Sequence, residues 1–246
     1  MRIAKTKMKA AIRRTIKKCI NSPLRLFGLQ IVYKPSWDKH FSEWAKKAER
    51  EGRDPNDVGD EAWPVDPLKR AMDAYYLPHV SPSSTVLELG PGTGRLTRHL
   101  ISRCKHIILT DNSPLVCRFL DSYLRGKGSY EIHHIERPEL PVPDNAVDFA
   151  VANGVFEHLD PEETLYFLRE FYRVLAPGAW AALGFNNILK PAAMEAIDQW
   201  SKPGIRCIFR FYAPAAMERL AEAAGFSNIR LSIDEHRLLS YIEMQK

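Results

Sequence analysis

Residues 86–97 constrain this chain more than any others. Val86-Leu87-Glu88-Leu89 is an apolar strand that runs straight into Gly90-Pro91-Gly92-Thr93-Gly94, and Arg95-Leu96-Thr97 then opens a helix. Three alternating glycines let the backbone turn tightly and approach a ligand where a Cβ would collide. The helix that follows points its free N–H groups into the same loop. A strand, a glycine turn and a helix in this order form the first unit of a βαβ sheet.

The flanking pattern extends that unit. Strands are predicted at Thr85–Leu89, His106–Thr110, Tyr130–Ile135, Val147–Asn153, Ala179–Phe185, Ile229–Ile233 and Leu238–Glu243. Helices are predicted at Gly94–Arg103, Pro114–Leu124, Pro161–Leu175 and Pro214–Ala224, the last ended by Gly225. Repeated β–α alternation predicts a doubly wound α/β fold, its mostly parallel sheet of seven strands covered by helices on both faces. Right-handed crossovers put the carboxyl ends of the parallel strands on one edge, where ligands bind in such folds. Upstream, residues 36–80 read as a helical extension, with helices from Ser36 or Trp37 to Arg50 and from Asp66 to Leu77, separated by a polar, proline-punctuated loop. The sheet domain is expected over 81–246, with an insert at 187–212.

Charge is distributed unevenly. The formal net charge is +5, yet residues 1–37 hold ten Lys and Arg and no Asp or Glu, which leaves the remaining residues at −5. The basic balance belongs to an N-terminal arm, residues 1–35, and the mildly acidic body argues against a nucleic-acid-binding face. In the arm Met8, Ile12, Ile16, Cys19 and Ile20 share one side at helical spacing, with Arg13, Arg14, Lys17 and Lys18 largely opposite. Such a helix can lie on anionic lipid through residues 1–30, a peripheral attachment to the inner face of a membrane. It can equally be a solvated arm, a docked helix or, with its lack of acidic residues, a transit peptide. The four cysteines have neither zinc-ligand spacing nor a disulfide framework, so no metal is expected and reduced thiols in the cytoplasm are the plain reading.

The motifs, taken in order, resemble those of the class I S-adenosylmethionine-dependent methyltransferases, which share a Rossmann-like fold. Glu88, Gly90, Gly92 and Gly94 match that family's E-x-G-x-G-x-G. Asp111, 21 residues after Gly90 and followed by Asn112, matches its acidic residue at the end of the second strand. Glu136-Arg137 and the following Leu140-Pro141-Val142-Pro143-Asp144 are similar to its D-A-x-x-L-P-F-P-D stretch, with Glu and Arg in place of Asp and a small residue. Asn153-Gly154-Val155-Phe156-Glu157-His158 resembles the segment after the fourth strand. Arg169–Gly178 resembles R-E-x-x-R-V-L-K-P-G-G, departing from it at Ala176 and Ala179, and Leu220–Phe226 resembles the closing L-x-x-A-G-F.

The resemblance implies that S-adenosyl-L-methionine is the cofactor. Its methionine part would lie on the glycine loop with its amino group near Glu88. Asp111 would accept the ribose hydroxyls, Glu136 and Arg137 would meet the adenine, Asn112 would add shape, and Asn153 and Gly154 would approach cofactor and substrate. Methyl transfer needs little acid–base apparatus, since positioning supplies most of the rate. His158 stands where a base would serve an oxygen acceptor, though a histidine there is common in the family without that role. Glu157 is a weaker candidate. The acceptor is expected to be a small molecule, glycan or lipid-linked substrate, methylated on oxygen and bounded by the insert with its Trp200 and Phe209–Tyr212 cluster. Tyr75, Tyr76 and Arg70 occupy positions where some relatives meet the cofactor carboxylate. Two rival readings remain: a non-catalytic binding module on the same fold, and a nicotinamide-dependent oxidoreductase. The second needs glycine at position 95, where Arg95 stands.

Overall fold

The computed structural model describes residues 37–53, 65–200, 209–232 and 238–246, so the basic arm lies outside the described residues. Seven strands form one sheet: β1 (Thr85–Leu89), β2 (His106–Asp111), β3 (Tyr130–His134), β4 (Val147–Ala152), β5 (Leu175–Asn186), β6 (Ser227–Ser232) and β7 (Leu239–Gln245). Their spatial order is β3-β2-β1-β4-β5-β7-β6, with β1 to β5 parallel and β7 inserted antiparallel between β5 and β6. The doubly wound α/β expectation holds.

Seven α-helices are described: α1 (Trp37–Arg50), α2 (Val65–Ala71), α3 (Thr97–Leu100), α4 (Pro114–Leu124), α5 (Pro161–Val174), α6 (Pro191–Trp200) and α7 (Pro214–Ala224). Two apolar layers enclose the sheet. Phe167, Leu168 and Phe171 of α5 and Met217 and Ala221 of α7 pack on one face, against Leu87, Leu89, Ala150 and Leu183. Phe41, Leu68, Met72, Tyr76, Leu100, Leu120 and Leu124 pack on the other, against Val86, Leu109 and Val151. The chain alternates between the faces because each parallel crossover must bury its apolar stripe on one of them.

Two helices differ from expectation. The one predicted over Gly94–Arg103 is regular only at Thr97–Leu100, with turns on either side. The one predicted over Asp66–Leu77 widens into a π-turn at Met72–Tyr76 and closes as a 3-10 turn at Leu77–His79. Pro78 carries no N–H to continue the ladder, and the widened turn directs Tyr76 into the core, where it is fully buried. β5 is also longer than expected. It starts at Leu175 and runs through Pro177-Gly178, with a register shift opposite Val147–Phe149.

Two motifs that are separate in sequence meet in space. Arg173 donates to the carbonyls of Leu140 at 2.9 Å and Val142 at 2.8 Å and to Asp144 Oδ1 at 2.8 Å. Glu170 bonds Arg173 Nη2 at 2.7 Å and accepts the Leu140 N–H at 2.8 Å. The R-E-x-x-R stretch therefore clamps the Leu-Pro-Val-Pro-Asp loop that leads into β4. No helix among the described residues is long and apolar enough to cross a membrane.

Candidate active site

The carboxyl ends of β1, β2 and β4 converge on the glycine loop. Gly90, Gly92 and Gly94 all have left-handed φ, at +66°, +55° and +81°. A Cβ at Gly90 would lie 2.4 Å from Val155 Cγ2, and one at Gly94 would lie 3.0 Å from Leu120 Cδ2. Gly92 meets nothing within 4 Å. The outer two glycines thus allow close packing on the segment after β4 and on α4, while the middle one presents bare backbone to open space.

Two carboxyls stand beside this loop. Glu88, only 2% exposed, accepts a hydrogen bond from Thr97 Oγ1 at 2.8 Å. Burial pushes its carboxyl up to about 8 against that hydrogen bond, and the charge of Asp111 adds to the rise. Asp111, 8% exposed, accepts the Ser113 N–H at 2.8 Å. Burial pushes it up to about 6, opposed by the backbone N–H groups of Ser113, Gly92 and Asn112 and by His134. The contribution of Gly92 links the tip of β2 to the middle of the glycine loop. Ile135 N–H donates to the Asp111 carbonyl at 2.9 Å, so the exposed Glu136 and Arg137 follow directly beside Asp111 and the exposed Asn112.

Beyond β4, Tyr76 Oη donates to Asn153 Oδ1 at 3.1 Å. Gly154 has a φ of +78°, and a Cβ there would approach Glu157 Oε1 to 3.7 Å. The His158 ring lies edge-on to Trp37 at 4.6 Å between centroids, and its centroid is 4.9 Å from that of Phe209. The structure therefore gathers Glu88, the three glycines and Asp111 at the glycine loop, with Asn112, Glu136 and Arg137 following the ends of β2 and β3. Asn153, Gly154 and His158 form a second group past β4.

The sequence carried no local sign of three further participants. Asp38 of α1 accepts hydrogen bonds from Ser113 Oγ and, at 3.3 Å, from the Leu115 N–H. Trp37 reaches His158, so the start of α1 bridges the end of β2 and the end of β4 across the carboxyl edge. Asn186 ends β5 fully buried. Tyr76, one of the residues at positions where some relatives meet the cofactor carboxylate, is fully buried with its hydroxyl on Asn153. Tyr75 stacks on Tyr241 at 4.7 Å, and Arg70 is exposed. From the insert, Tyr212 is a core residue whose hydroxyl donates to the Leu159 carbonyl at 2.7 Å. No group of His, Cys, Asp or Glu able to hold a metal occurs among the described residues.

A model of the methyltransferase domain family matches residues 87–183, which run from β1 into β5. Residues 87–183 thus carry a methyltransferase domain. An uncharacterised methyltransferase of Oceanobacillus iheyensis is 30% identical over 124 residues, covering 50% of this chain and 57% of that protein. A malonyl-[acyl-carrier protein] O-methyltransferase of Paenibacillus is 24% identical over 161 residues, covering 62% of this chain and 58% of that protein. The chain thus spans little more than half of either relative. Among solved structures, a methyltransferase of Haloferax volcanii in complex with its Trm112 activator superposes with a TM-score of 0.62 at 19% identity, covering 83% of this chain and 96% of that one. That likeness extends the methyltransferase fold to most of the chain. The family's cofactor is S-adenosyl-L-methionine, and the described residues of the domain fit it: backbone left bare at Gly92, a carboxylate at the tip of β2 and a buried acid beside them.

Proposed function

We propose that this chain moves the methyl group of S-adenosyl-L-methionine to an oxygen of a small-molecule, glycan or lipid-linked acceptor. The observation that supports it best is the open backbone at Gly92 with Asp111 beside it, on the carboxyl edge of a β3-β2-β1-β4-β5-β7-β6 sheet. When bound, the cofactor supplies a sulfonium whose methyl carbon is already electrophilic, so this chain has only to bind, orient and exclude water. In this reading Gly90, Gly92 and Gly94 leave room for the amino-acid tail and Glu88 faces its ammonium. Asp111 accepts the ribose hydroxyls, Asn112, Glu136 and Arg137 border the adenine, and Asn153 and Gly154 lie toward the transferred methyl. His158, in ring contact with Trp37 and with Phe209, borders the way in for the acceptor. From the insert, Phe209 reaches the His158 ring, while Leu189 and Met194 are exposed to solvent.

Calorimetry with S-adenosylmethionine tests this reading. Micromolar binding is the expected result; no binding at millimolar cofactor would favour a scaffold that merely keeps the fold. The same titrations carry a pH signature. Glu88 and Asp111 both hold protons above their ordinary range, so they favour the free fold at low pH. That contribution fades as pH rises through the usual carboxylate range to about 6 for Asp111 and about 8 for Glu88. A bound ammonium and sulfonium favour the ionised forms, so binding near pH 7 releases roughly one proton and affinity climbs from pH 6 to 8. Binding heats at pH 7 that are independent of the buffer's own ionisation heat would remove Glu88 from the cofactor site.

The basic arm extends the proposal to a surface: residues 1–30 hold the chain on anionic lipid, near a lipid-linked acceptor. Deleting them should abolish co-sedimentation with phosphatidylglycerol vesicles and leave cofactor affinity intact. A full-length chain that ignores such vesicles at low salt would end the membrane reading.

A further inference from the structure

A cavity of about 260 Å³ opens between α2, with the widened turn that ends it, and the segment that follows the glycine loop. Leu68, Met72 and Leu77 give it an apolar wall, and the widened turn builds that wall. In a regular α-helix two residues five apart point about 140° away from each other. The Leu77 N–H closes instead on the Met72 carbonyl, the spacing of a π-turn, which brings Met72 and Leu77 to the same side. Of the residues placed above around the cofactor, none lines this cavity.

The facing wall is cationic. Arg95 directly follows Gly94, Arg98 and Arg103 lie further along the same segment, and Lys69 joins them from α2. Arg95 and Arg98 are half-buried, where a charge is screened less than in open water. Arg103 Nη1 donates to the His99 carbonyl at 2.6 Å, which ties its guanidinium to another lining residue. Burial pushes the His99 ring down from the usual histidine range, and the charges of Arg98 and Arg103 push the same way, so the ring is neutral at pH 7. The only carboxylate among the described lining residues is Asp73, bonded to Lys69 Nζ at 2.8 Å. The lining thus carries four cationic side chains against one anionic.

We propose that this cavity binds a phosphate ester, with the phosphate on Arg95, Arg98 and Arg103 and a ring or short chain on Leu68, Met72 and Leu77. One guanidinium fork satisfies both oxygens of a carboxylate. Three guanidiniums match the three terminal oxygens and near-double charge of a phosphate monoester. At about 260 Å³ the space falls just below that of a drug-sized ligand, so a phosphate with one small apolar group fills it.

The site also touches the glycine loop. Arg98 N–H donates to the Gly94 carbonyl at 3.0 Å, so an anion held by Arg95 and Arg98 braces the backbone that closes the loop. Phosphate ester and cofactor then order the same segment, and each tightens the other by one common factor. This coupling rests on the cofactor reading above; the site itself does not.

Calorimetry on the full chain at low salt tests the site with phenyl phosphate, inorganic phosphate and benzoate as probes. Phenyl phosphate should bind roughly tenfold or more tighter than inorganic phosphate, which leaves the apolar wall unfilled, and than benzoate, which has one charge. Arg98→Gln and, separately, the exposed Arg103→Gln should each weaken phenyl phosphate about tenfold. Lys17→Gln/Lys18→Gln in the basic arm should change it less than about threefold. Asp54, Asp57, Asp60 and Glu61 precede α2 in the sequence and are this chain's own competitors for the cations. Replacing all four by their amides should likewise change the affinity less than about threefold. A gain of about tenfold there would make that acidic stretch the occupant and overturn the proposal. So would equal affinity for the three probes, or a loss in the arm variant as large as in Arg98→Gln. Dihexanoylphosphatidate separates the sources of the phosphate: displacement of phenyl phosphate by it assigns the cavity to a lipid headgroup, and failure to displace assigns it to a soluble ester. With S-adenosylhomocysteine bound, phenyl phosphate should bind about fivefold or more tighter. Unchanged affinity would overturn the coupling and leave the site. Failure of S-adenosylhomocysteine to bind at all would overturn the cofactor reading and the coupling with it, and leave the site standing.

Discussion

Gly90→Ala should destabilise the fold by about 2–5 kcal/mol, whereas Gly92→Ala, two residues on, should cost only about 1–2 kcal/mol and remove cofactor binding. Both positions are left-handed, and an alanine there costs about 1–2 kcal/mol from the backbone alone. At Gly90 the new methyl also strikes Val155 Cγ2 at 2.4 Å, and relieving that overlap costs about 1–3 kcal/mol more. At Gly92 the methyl meets no protein atom within 4 Å and projects into the space assigned above to the cofactor. Denaturant melts should therefore separate the two variants one way, and calorimetry with S-adenosylmethionine should separate Gly92→Ala from the parent. If Gly92→Ala binds cofactor as well as the parent does, the open backbone is not the cofactor seat.

Asp111→Ala should weaken S-adenosylmethionine binding by about 1–3 kcal/mol, the range for removing an acceptor from a buried hydrogen-bonded group. Truncation also strips the acceptor from the Ser113 N–H, so affinity loss alone would not distinguish a ribose contact from a disturbed loop. A 2′-deoxy analogue of S-adenosylhomocysteine resolves the two. On the parent it should bind more weakly than S-adenosylhomocysteine, and on Asp111→Ala the two should bind nearly alike, the coupling expected of groups in direct contact. Equal sensitivity to the missing hydroxyl in both proteins would place Asp111 in the loop's architecture and outside the ribose site.

The sheet was legible because its signals are local. Pro114–Leu124 and Pro214–Ala224 begin at a proline and end at an arginine or a glycine, and Thr85–Leu89 ends at Gly90. Period-two and period-3.6 patterns report which face of a segment is buried, whatever lies opposite. The glycine loop was readable for the same reason, since a left-handed backbone leaves its mark in the residue that adopts it. Helix ends were less clear. Nothing in Met72–Tyr76 distinguishes a widened turn from a continuing helix, because the choice depends on where Tyr76 finds room and a hydrogen-bond partner.

By itself, then, the amino-acid order determined the strand–helix alternation, the glycine turn, the acidic tip of the second strand and the uneven charge of the arm. Only the tertiary structure decided that Arg173 holds the Leu140–Asp144 loop, that Asp38 and Trp37 span the carboxyl edge, and that the carbonyls of Glu157 and Asn186 both meet the Arg210–Tyr212 segment. Each of those pairs lies 26 to 121 residues apart in the chain. The physical reason is one of range. Backbone conformation and burial periodicity are set within a few residues and leave a local trace. A hydrogen bond or ring contact between distant segments depends on how the layers pack, and neither partner advertises the other.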